Sequence, residues 1–371
     1  MHDKKVILQV NDLKKYFSLR KGFFSETRYV RAVDGVSLEL YKGETLGVIG
    51  ESGCGKSTLG RSLVNLYNLT SGSVVYRDSD QKIDLITAND RQKKDYTKLV
   101  QIIFQDPFSS LNPRINVFET VAEPLIIHQY PKELIEQKVS EVIAQVGLRD
   151  EHLRRYPHSF SGGQRQRIGI ARSLIISPKV IICDEAVSAL DVSVQAQIIN
   201  LLKELQAHYN YSYIFISHDM SVIRHICDRI AVMYAGRIVE FGTKDEVLNS
   251  PKHPYTEALL DAVPKISNRK LKGKRKILSG EPPDLSRERI GCSMFERCGF
   301  RIEACQTTPM KLLDVGGQQL TACMRTKEIQ LNGLSVGAKQ TWVSPRNYSQ
   351  NWAFSPNKGT ASSYWTSHYW R

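Results

Sequence analysis

Two short stretches carry side chains that belong together in phosphate chemistry. GESGCGKS, residues 50–57, follows the pattern G-x-x-x-x-G-K-[ST]. Gly50, Gly53 and Gly55 let backbone N–H groups turn inward around phosphate oxygens. Lys56 can then reach the β and γ phosphates, and the Ser57 hydroxyl suits Mg²⁺. Glu51, Ser52, Cys54 and Thr58 complete the phosphate-binding run. Far downstream, IICDE (181–185) is an apolar run that ends in Asp184 and Glu185. A carboxylate delivered there can hold the metal while its neighbour orients an attacking water. Either stretch alone could be a glycine-rich turn or an acidic strand end; together they define a nucleotide site.

Two further constellations invite a chemical reading. FSGGQRQR (160–167) places Ser161, Gly162, Gly163 and Gln164 just before the helical run IGIARSLII, where free N–H groups and a positive dipole end are expected. Near the other end, Cys292, Cys298, Cys305 and Cys323 are spaced C-x5-C-x6-C-x17-C. Four thiolates can bind zinc tetrahedrally or hold an iron–sulfur cube. The paired C-x2-C knuckles usual for structural zinc are absent, and the wider, irregular spacing suits a cluster with separated corners. Unligated thiols are the remaining alternative. Cys54, Cys183 and Cys227 have no base nearby in sequence and read as small packing residues. A lone His218 in FISHD would by itself be structural.

The elements that must position these groups alternate between strand and helix over the first 250 residues, which favours an α/β fold. ETLGVIG (44–50) reads as a buried strand, and KSTLGRSLVNL behind it has helical spacing. KVIIC (179–183) and YSYIFIS (211–217) are two more strands. SVQAQIINLLKELQ (193–206) puts Val194, Ile198, Leu201, Leu202 and Leu205 on one helical face. RIAVMYAGRIVEFG (229–242) reads as a hairpin turning at Ala235-Gly236, and residues 106–175 include a mainly helical stretch from about 115. From Pro251 the character changes: HPYTEALLDAVP (253–264) is one short helix, a basic run follows, then the cysteine segment. The expected division is residues 1–250, a cysteine-containing extension over 251–330, and a disordered tail over 331–371. All four tryptophans fall in that tail, among Ser, Asn, Gly and Pro. A membrane-interface role for them, or an altered reading frame, would also account for the shift.

At 371 residues the chain has room for about two domains. MHDKKVILQVND lacks the apolar core of a signal peptide, and no run of apolar residues is long enough to span a membrane. A cytoplasmic location is therefore expected, where cysteines serve metals or chemistry more often than disulfides. The net charge of +13 suggests an acidic partner: nucleotide, nucleic acid or an anionic membrane surface. Much of it lies in KISNRKLKGKRK (265–276), with seven basic residues in twelve, which also suits a solvated linker.

SGGQ, with GESGCGKS upstream and CDEAVSALD (183–191) downstream, resembles the nucleotide-binding subunit of an ABC transporter over residues 6 to about 325. The resemblance implies an ABC-type cassette with a helical subdomain, in which ATP is sandwiched between two subunits. The Ser161–Gln164 motif of one subunit closes over the γ-phosphate held by the phosphate loop of the other. It also implies roles at matching positions. Gln105 in IFQDP contacts Mg²⁺ with Ser57 and Asp184, Glu185 and His218 are catalytic, and Ser188 to Asp191 cross the dimer interface. Phe17 in LKKYF stacks on adenine, with Tyr16 as the alternative. Ala186 departs from the family, which usually has Pro there, but Glu185 remains and ATPase activity is expected.

IFQDPFSSLNPR, DVSVQAQ, HPYTEALLDAVP and the cysteine segment together resemble the dipeptide and oligopeptide importer ATPases. This implies a heterodimer with a second, homologous ATPase subunit, two transmembrane permease subunits, an extracytoplasmic peptide-binding protein reached through them, and peripheral attachment to the cytoplasmic face of the inner membrane. The segment after Gln105, about 106–130, would meet the permease. It implies a 4Fe–4S cluster at the four cysteines, with Zn²⁺ as the alternative. Relatives in the same group serve nickel or glutathione. The rival from another class, a soluble ABC ATPase acting on nucleic acid or ribosomes, usually has two cassettes or a long coiled coil in one chain. Neither is present, and no nucleic-acid partner is expected.

Overall fold

The computed structural model describes residues 5–19, 28–262, 278 and 280–334. The expected tail from 335 onward, its tryptophans and the whole basic run 265–276 lie outside the described residues. Two sheets are present. Strands β1 (Val6–Leu19), β2 (Arg28–Tyr41), β4 (Ser71–Arg77) and β5 (Lys82–Asp84) form an antiparallel sheet in the order β2-β1-β4-β5, with β3 (Thr45–Ile49) belonging to the other. That second sheet holds β6 (Val100–Ile103), β7 (Val180–Asp184), β8 (Ser212–Ser217), β9 (Arg229–Tyr234), β10 (Arg237–Thr243), β11 (Leu313–Asp314) and β12 (Leu320–Thr321) in the order β11-β12-β10-β9-β3-β8-β7-β6. From β6 to β9 its neighbours run parallel.

β3, β7 and β8 are buried along their whole length, as expected of strands covered on both faces. Helix α1 (Lys56–Leu63) packs Leu59 and Leu63 into a core with Leu8, Val33, Val48, Ile182 and Ile216, between the two sheets. A Cβ at Gly60 would meet Ile216 Cδ1 at 2.8 Å, so the small residue lets α1 lie close on β7 and β8. Helix α2 (Asp90–Leu99) begins with an Asn89–Gln92 capping box and leads into β6. The turn between β9 and β10 is the expected one: Ala235 (φ 48°) and Gly236 (φ 82°) are both left-handed, as a two-residue hairpin turn of the primed type requires.

On the other face of the parallel sheet, α5 (Gly162–Leu174) packs on β6 and α7 (Met220–Ile226) on β3 and β8, α6 (Val192–Tyr209) lies against both helices, and α3 (Val117–Ile127) and α4 (Lys132–Gln145) pack on α5. Their buried faces meet in one core that includes Val121, Leu125, Val139, Ile143, Ile170, Leu174, Ile198 and Leu202. Val194, expected on the buried face of α6, is only partly buried.

After β10 come α8 (Lys244–Asn249) and α9 (Pro254–Asp261), then the cysteine segment, whose short helix α10 (Ala304–Thr307) carries Cys305. This extension is sewn to the sheet. β12 pairs with β10 at Glu240↔Thr321 and Phe241↔Leu320. The buried Glu240 carboxylate accepts from Lys252 N at 2.7 Å, His253 N at 3.0 Å, Gln319 Nε2 at 2.8 Å and the Thr256 hydroxyl. Four donors converging on one carboxylate offset the cost of burying it, and they tie α9 and the β12 approach to β10.

Candidate functional site

β3, β7 and β8 lie side by side and parallel, so their C-terminal ends share one edge of the sheet, where α/β folds bind ligands. At the end of β3, Gly50 (φ 154°) and Gly55 (φ 108°) shape the phosphate loop; a Cβ on either would run into the carbonyl oxygens of Met233 and Ala32. Gly53 faces open space and Ser52 is exposed. Lys56, 4% exposed, lies inside its own loop, with Nζ donating to Gly50 O at 2.7 Å and Glu51 O at 2.9 Å. Cys54 is buried beside it, and burial pushes its thiol up. Cys183 and Cys227 are buried as well, so these three behave as packing residues.

Ser57 at the start of α1 donates its hydroxyl to Asp184 Oδ1 at 2.8 Å. Asp184 is fully buried, its carboxyl pushed up by burial, and its second oxygen, Oδ2, has no hydrogen-bond partner. Arg61 Nε stands 3.8 Å from that oxygen and is likewise unpartnered. A buried orphan carboxylate oxygen next to a serine hydroxyl is an oxygen donor set of the kind Mg²⁺ takes.

Glu185, one residue further, has φ 49°, an uncommon backbone state for a non-glycine residue. Its N–H donates to Ile216 O on β8 at 3.0 Å, and its side chain turns to the loops at the same edge. Gln105, just beyond β6, donates Nε2 to Glu185 Oε2 at 3.0 Å; His218, just beyond β8, brings Nδ1 within 3.2 Å of the same oxygen. Four strand ends thus gather Lys56, Ser57, Asp184, Glu185, Gln105 and His218. Such a set can bind a nucleotide triphosphate, neutralise its charge and take a proton from water.

Phe17 on β1 is half-buried, edge-on to Tyr67 at 5.4 Å between ring centres, with Lys15 Nζ 4.8 Å from its own ring centre. Tyr16 is committed elsewhere: its hydroxyl donates to Asp34 Oδ1 at 2.5 Å.

Ser161 caps α5 in a capping box with Gln164. Its neighbours Gly162 and Gly163 have different surroundings. A Cβ at Gly163 would meet Val194 Cγ1 at 2.5 Å, whereas one at Gly162 would make ordinary contact with Leu190 at 3.5 Å. This fold therefore requires a small residue at 163 and leaves room at 162. The two glycines have Phe108, Leu190 and Val194 as their neighbours. Ser188 donates its hydroxyl to Glu185 O at 2.9 Å, and Asp191 caps α6 through Val194 N at 3.0 Å.

The four cysteines line one narrow cavity of about 20 Å³ with His253, Met294 and Phe295, room for about one water. Burial pushes the Cys292 and Cys323 thiols up to about 11 and Cys298 upward, and the nearby Cys305 sulfur adds to all three. Sharing a cavity is not the same as converging on a point. Among the described residues no three His, Cys, Asp or Glu side chains are placed to hold one metal ion as they stand.

Sequence reasoning missed the groups that brace the phosphate loop from the extension. Tyr255 Oη accepts from Glu51 N at 2.7 Å, and Arg297 forms an ion pair with the Glu51 side chain at 2.8 Å. Nothing local in the sequence marks either.

Residues 33–188 match the family model described as ABC transporter, and residues 239–305 that of the oligopeptide/dipeptide transporter C-terminal region. The chain is 49% identical over 318 residues to the dipeptide transport ATP-binding protein DppF of Escherichia coli, covering 85% of this chain and 93% of that one. It is 46% identical over 324 residues to the oligopeptide transport ATP-binding protein AppF of Bacillus subtilis, covering 86% and 98%. Among solved structures, cbiO1 of Clostridium perfringens, part of the ABC transporter complex cbiONQ, superposes with a TM-score of 0.56 at 27% identity, covering 66% of this chain and 91% of that one.

Proposed function

The chain belongs to the ABC transporter ATP-binding family, and from that premise we propose that it powers import of dipeptides or oligopeptides. ATP hydrolysis, with Mg²⁺, is the activity of this family. What supports the substrate class is the match of residues 239–305 to the oligopeptide/dipeptide C-terminal region, together with relatives named for dipeptide and oligopeptide transport. The chain would pair with a second, homologous ATPase subunit and act on two permease subunits and, through them, an extracytoplasmic peptide-binding protein. Among the described residues no helix is long and apolar enough to cross a membrane; attachment would be peripheral, on the cytoplasmic face.

In this reading the loop N–H groups and Lys56 bind the β and γ phosphates, and Phe17 packs on adenine. Ser57, Asp184 and Gln105 would hold Mg²⁺, which when bound offsets phosphate charge. Glu185 Oε2 takes the proton of the attacking water, kept in place by Gln105 and His218. Ser161 to Gln164 act on the partner's nucleotide; crowding within this chain does not by itself demand the glycine at 162. Residues 1–250 form the cassette with its helical part about 106–175, and 251–330 the extension.

The four cysteines are read as ligands of a 4Fe–4S cluster. What supports a bound group is that all four thiols line one cavity; the absence of a convergent triplet among the described residues applies to zinc and cluster alike, so either would need the thiols to draw together. When bound, the group would cross-link an extension poor in apolar residues. Iron, zinc and acid-labile sulfide on anaerobically purified protein test this, with four irons and four sulfides expected and lost in Cys298→Ser. For the transport reading, cells lacking the chain should regain uptake of a labelled dipeptide with wild type and not with Glu185→Gln. Restored uptake of nickel or glutathione, with none of peptide, would reassign the substrate.

A further inference from the structure

Arg297 joins parts of the molecule that lie 246 residues apart in sequence. It ends the three-ten turn Phe295–Arg297, directly before Cys298, and its side chain is 7% exposed. The guanidinium grips Glu51 with both prongs, Nη1 to Oε2 at 2.8 Å and Nη2 to Oε1 at 2.9 Å, while Nη1 also donates to Tyr234 Oη at 3.3 Å. Glu51 is the second residue of the phosphate loop, and its backbone is engaged on both sides. Its N–H donates to Tyr255 Oη at 2.7 Å, and its carbonyl accepts from Lys56 Nζ at 2.9 Å. The extension therefore holds the very loop residue whose carbonyl anchors the lysine. An exposed ion pair would contribute little, but this one is two-pronged and has a buried cation, so it fixes direction as well as charge.

The same turn is built into the cysteine cavity. Phe295 N donates to Cys292 O at 3.0 Å, and Cys292 N donates to Cys305 O at 2.7 Å. Cys292, Cys298 and Cys305 all line that cavity. We propose that Arg297 is a positioning residue for nucleotide binding. It holds the phosphate loop through Glu51 and makes ATP affinity depend on the order of the four-cysteine segment. The second clause rests on the reading of that segment as a metal-held cross-link; the first stands without it.

The test is equilibrium binding of ATP to the full chain, with steady-state hydrolysis alongside, for Arg297→Ala, Arg297→Lys, Glu51→Gln and the Arg297→Ala/Glu51→Gln pair. Each single change is expected to raise the ATP Kd, and KM with it, by about fivefold or more, while kcat at saturating ATP changes much less. The pair should be no weaker than the worse single change, because both remove one interaction. Arg297→Lys keeps charge and bulk but loses the fork, so it reports positioning even where alanine does not fold. Unchanged Kd in the folded lysine and glutamine variants, or additive effects in the pair, would overturn the proposal. Cys298→Ser tests the second clause: it should raise Kd in the wild-type chain and add nothing to Arg297→Ala. An unchanged Kd there overturns that clause. A chain without iron or zinc whose Arg297 variants still lose ATP affinity overturns the cross-link and keeps the positioning role.

Discussion

Glu185 and His218 meet at 3.2 Å, Oε2 to Nδ1, where two neighbouring parallel strands end. The contact needs Glu185 in a left-handed backbone state, which turns its carboxylate toward the loops after β6 and β8 instead of along the strand. Strain of this sort is kept where the site needs a direction. Glu185→Gln should keep ATP binding and lower kcat by about 10²- to 10⁴-fold, the usual weight of a general base. His218→Ala should lower kcat by less, with Kd for ATP unchanged, as single-turnover and binding measurements would show.

Asp184 has a buried oxygen with no hydrogen-bond partner, with Arg61 Nε, 3.8 Å away, to balance it; in the proposed reading that oxygen is a metal ligand. Asp184→Asn should therefore raise the unfolding free energy of the nucleotide-free chain by about 0.5–2 kcal/mol while abolishing Mg²⁺-dependent hydrolysis. Denaturant melts and ATPase assays on the same preparation check both halves.

The two glycines of the signature should separate folding from function. Gly163→Ala forces a Cβ against Val194 and should cost about 1–3 kcal/mol. Gly162→Ala meets only ordinary contacts, so its melting temperature should match wild type while nucleotide-dependent pairing and hydrolysis fall. Equal destabilisation by both would contradict the assignment of Gly162 to a partner's nucleotide.

Burial pushes Glu240 up to about 7. Its folded pKa exceeds that of the unfolded chain, so its contribution is complete below about pH 4.5 and is lost as the pH rises through about 7. Relative to Glu240→Gln, wild type should lose up to about 3 kcal/mol across that window and run parallel to it above pH 8. Urea melts at spaced pH values would show it; parallel curves throughout would exclude a buried, titrating Glu240.

What the sequence made legible was local. The run before Gly50, the apolar runs 179–183 and 211–217 and the Ala235-Gly236 turn each announce themselves within about ten residues, and the structure has the two strands at Val180–Asp184 and Ser212–Ser217. The antiparallel sheet was not foreseen. β1 and β2 are 14 residues each, and several register shifts, with Asp12 at φ 44°, break the alternation that marks a strand. Nothing in the hairpin sequence marks Glu240, because its four donors come from residues 252 to 319. Arg297 and Glu51 are oppositely charged residues among many, and only the folded chain shows that they meet.

Hydrolysis at this site serves peptide import only if the two are coupled in one complex. The most direct measurement is ATP hydrolysis by the complete complex in proteoliposomes, with the binding protein inside or outside and a dipeptide present or absent. Hydrolysis should rise with peptide-loaded binding protein, move labelled peptide across the bilayer and vanish in Glu185→Gln. Hydrolysis indifferent to peptide, with no peptide transported, would contradict that coupling.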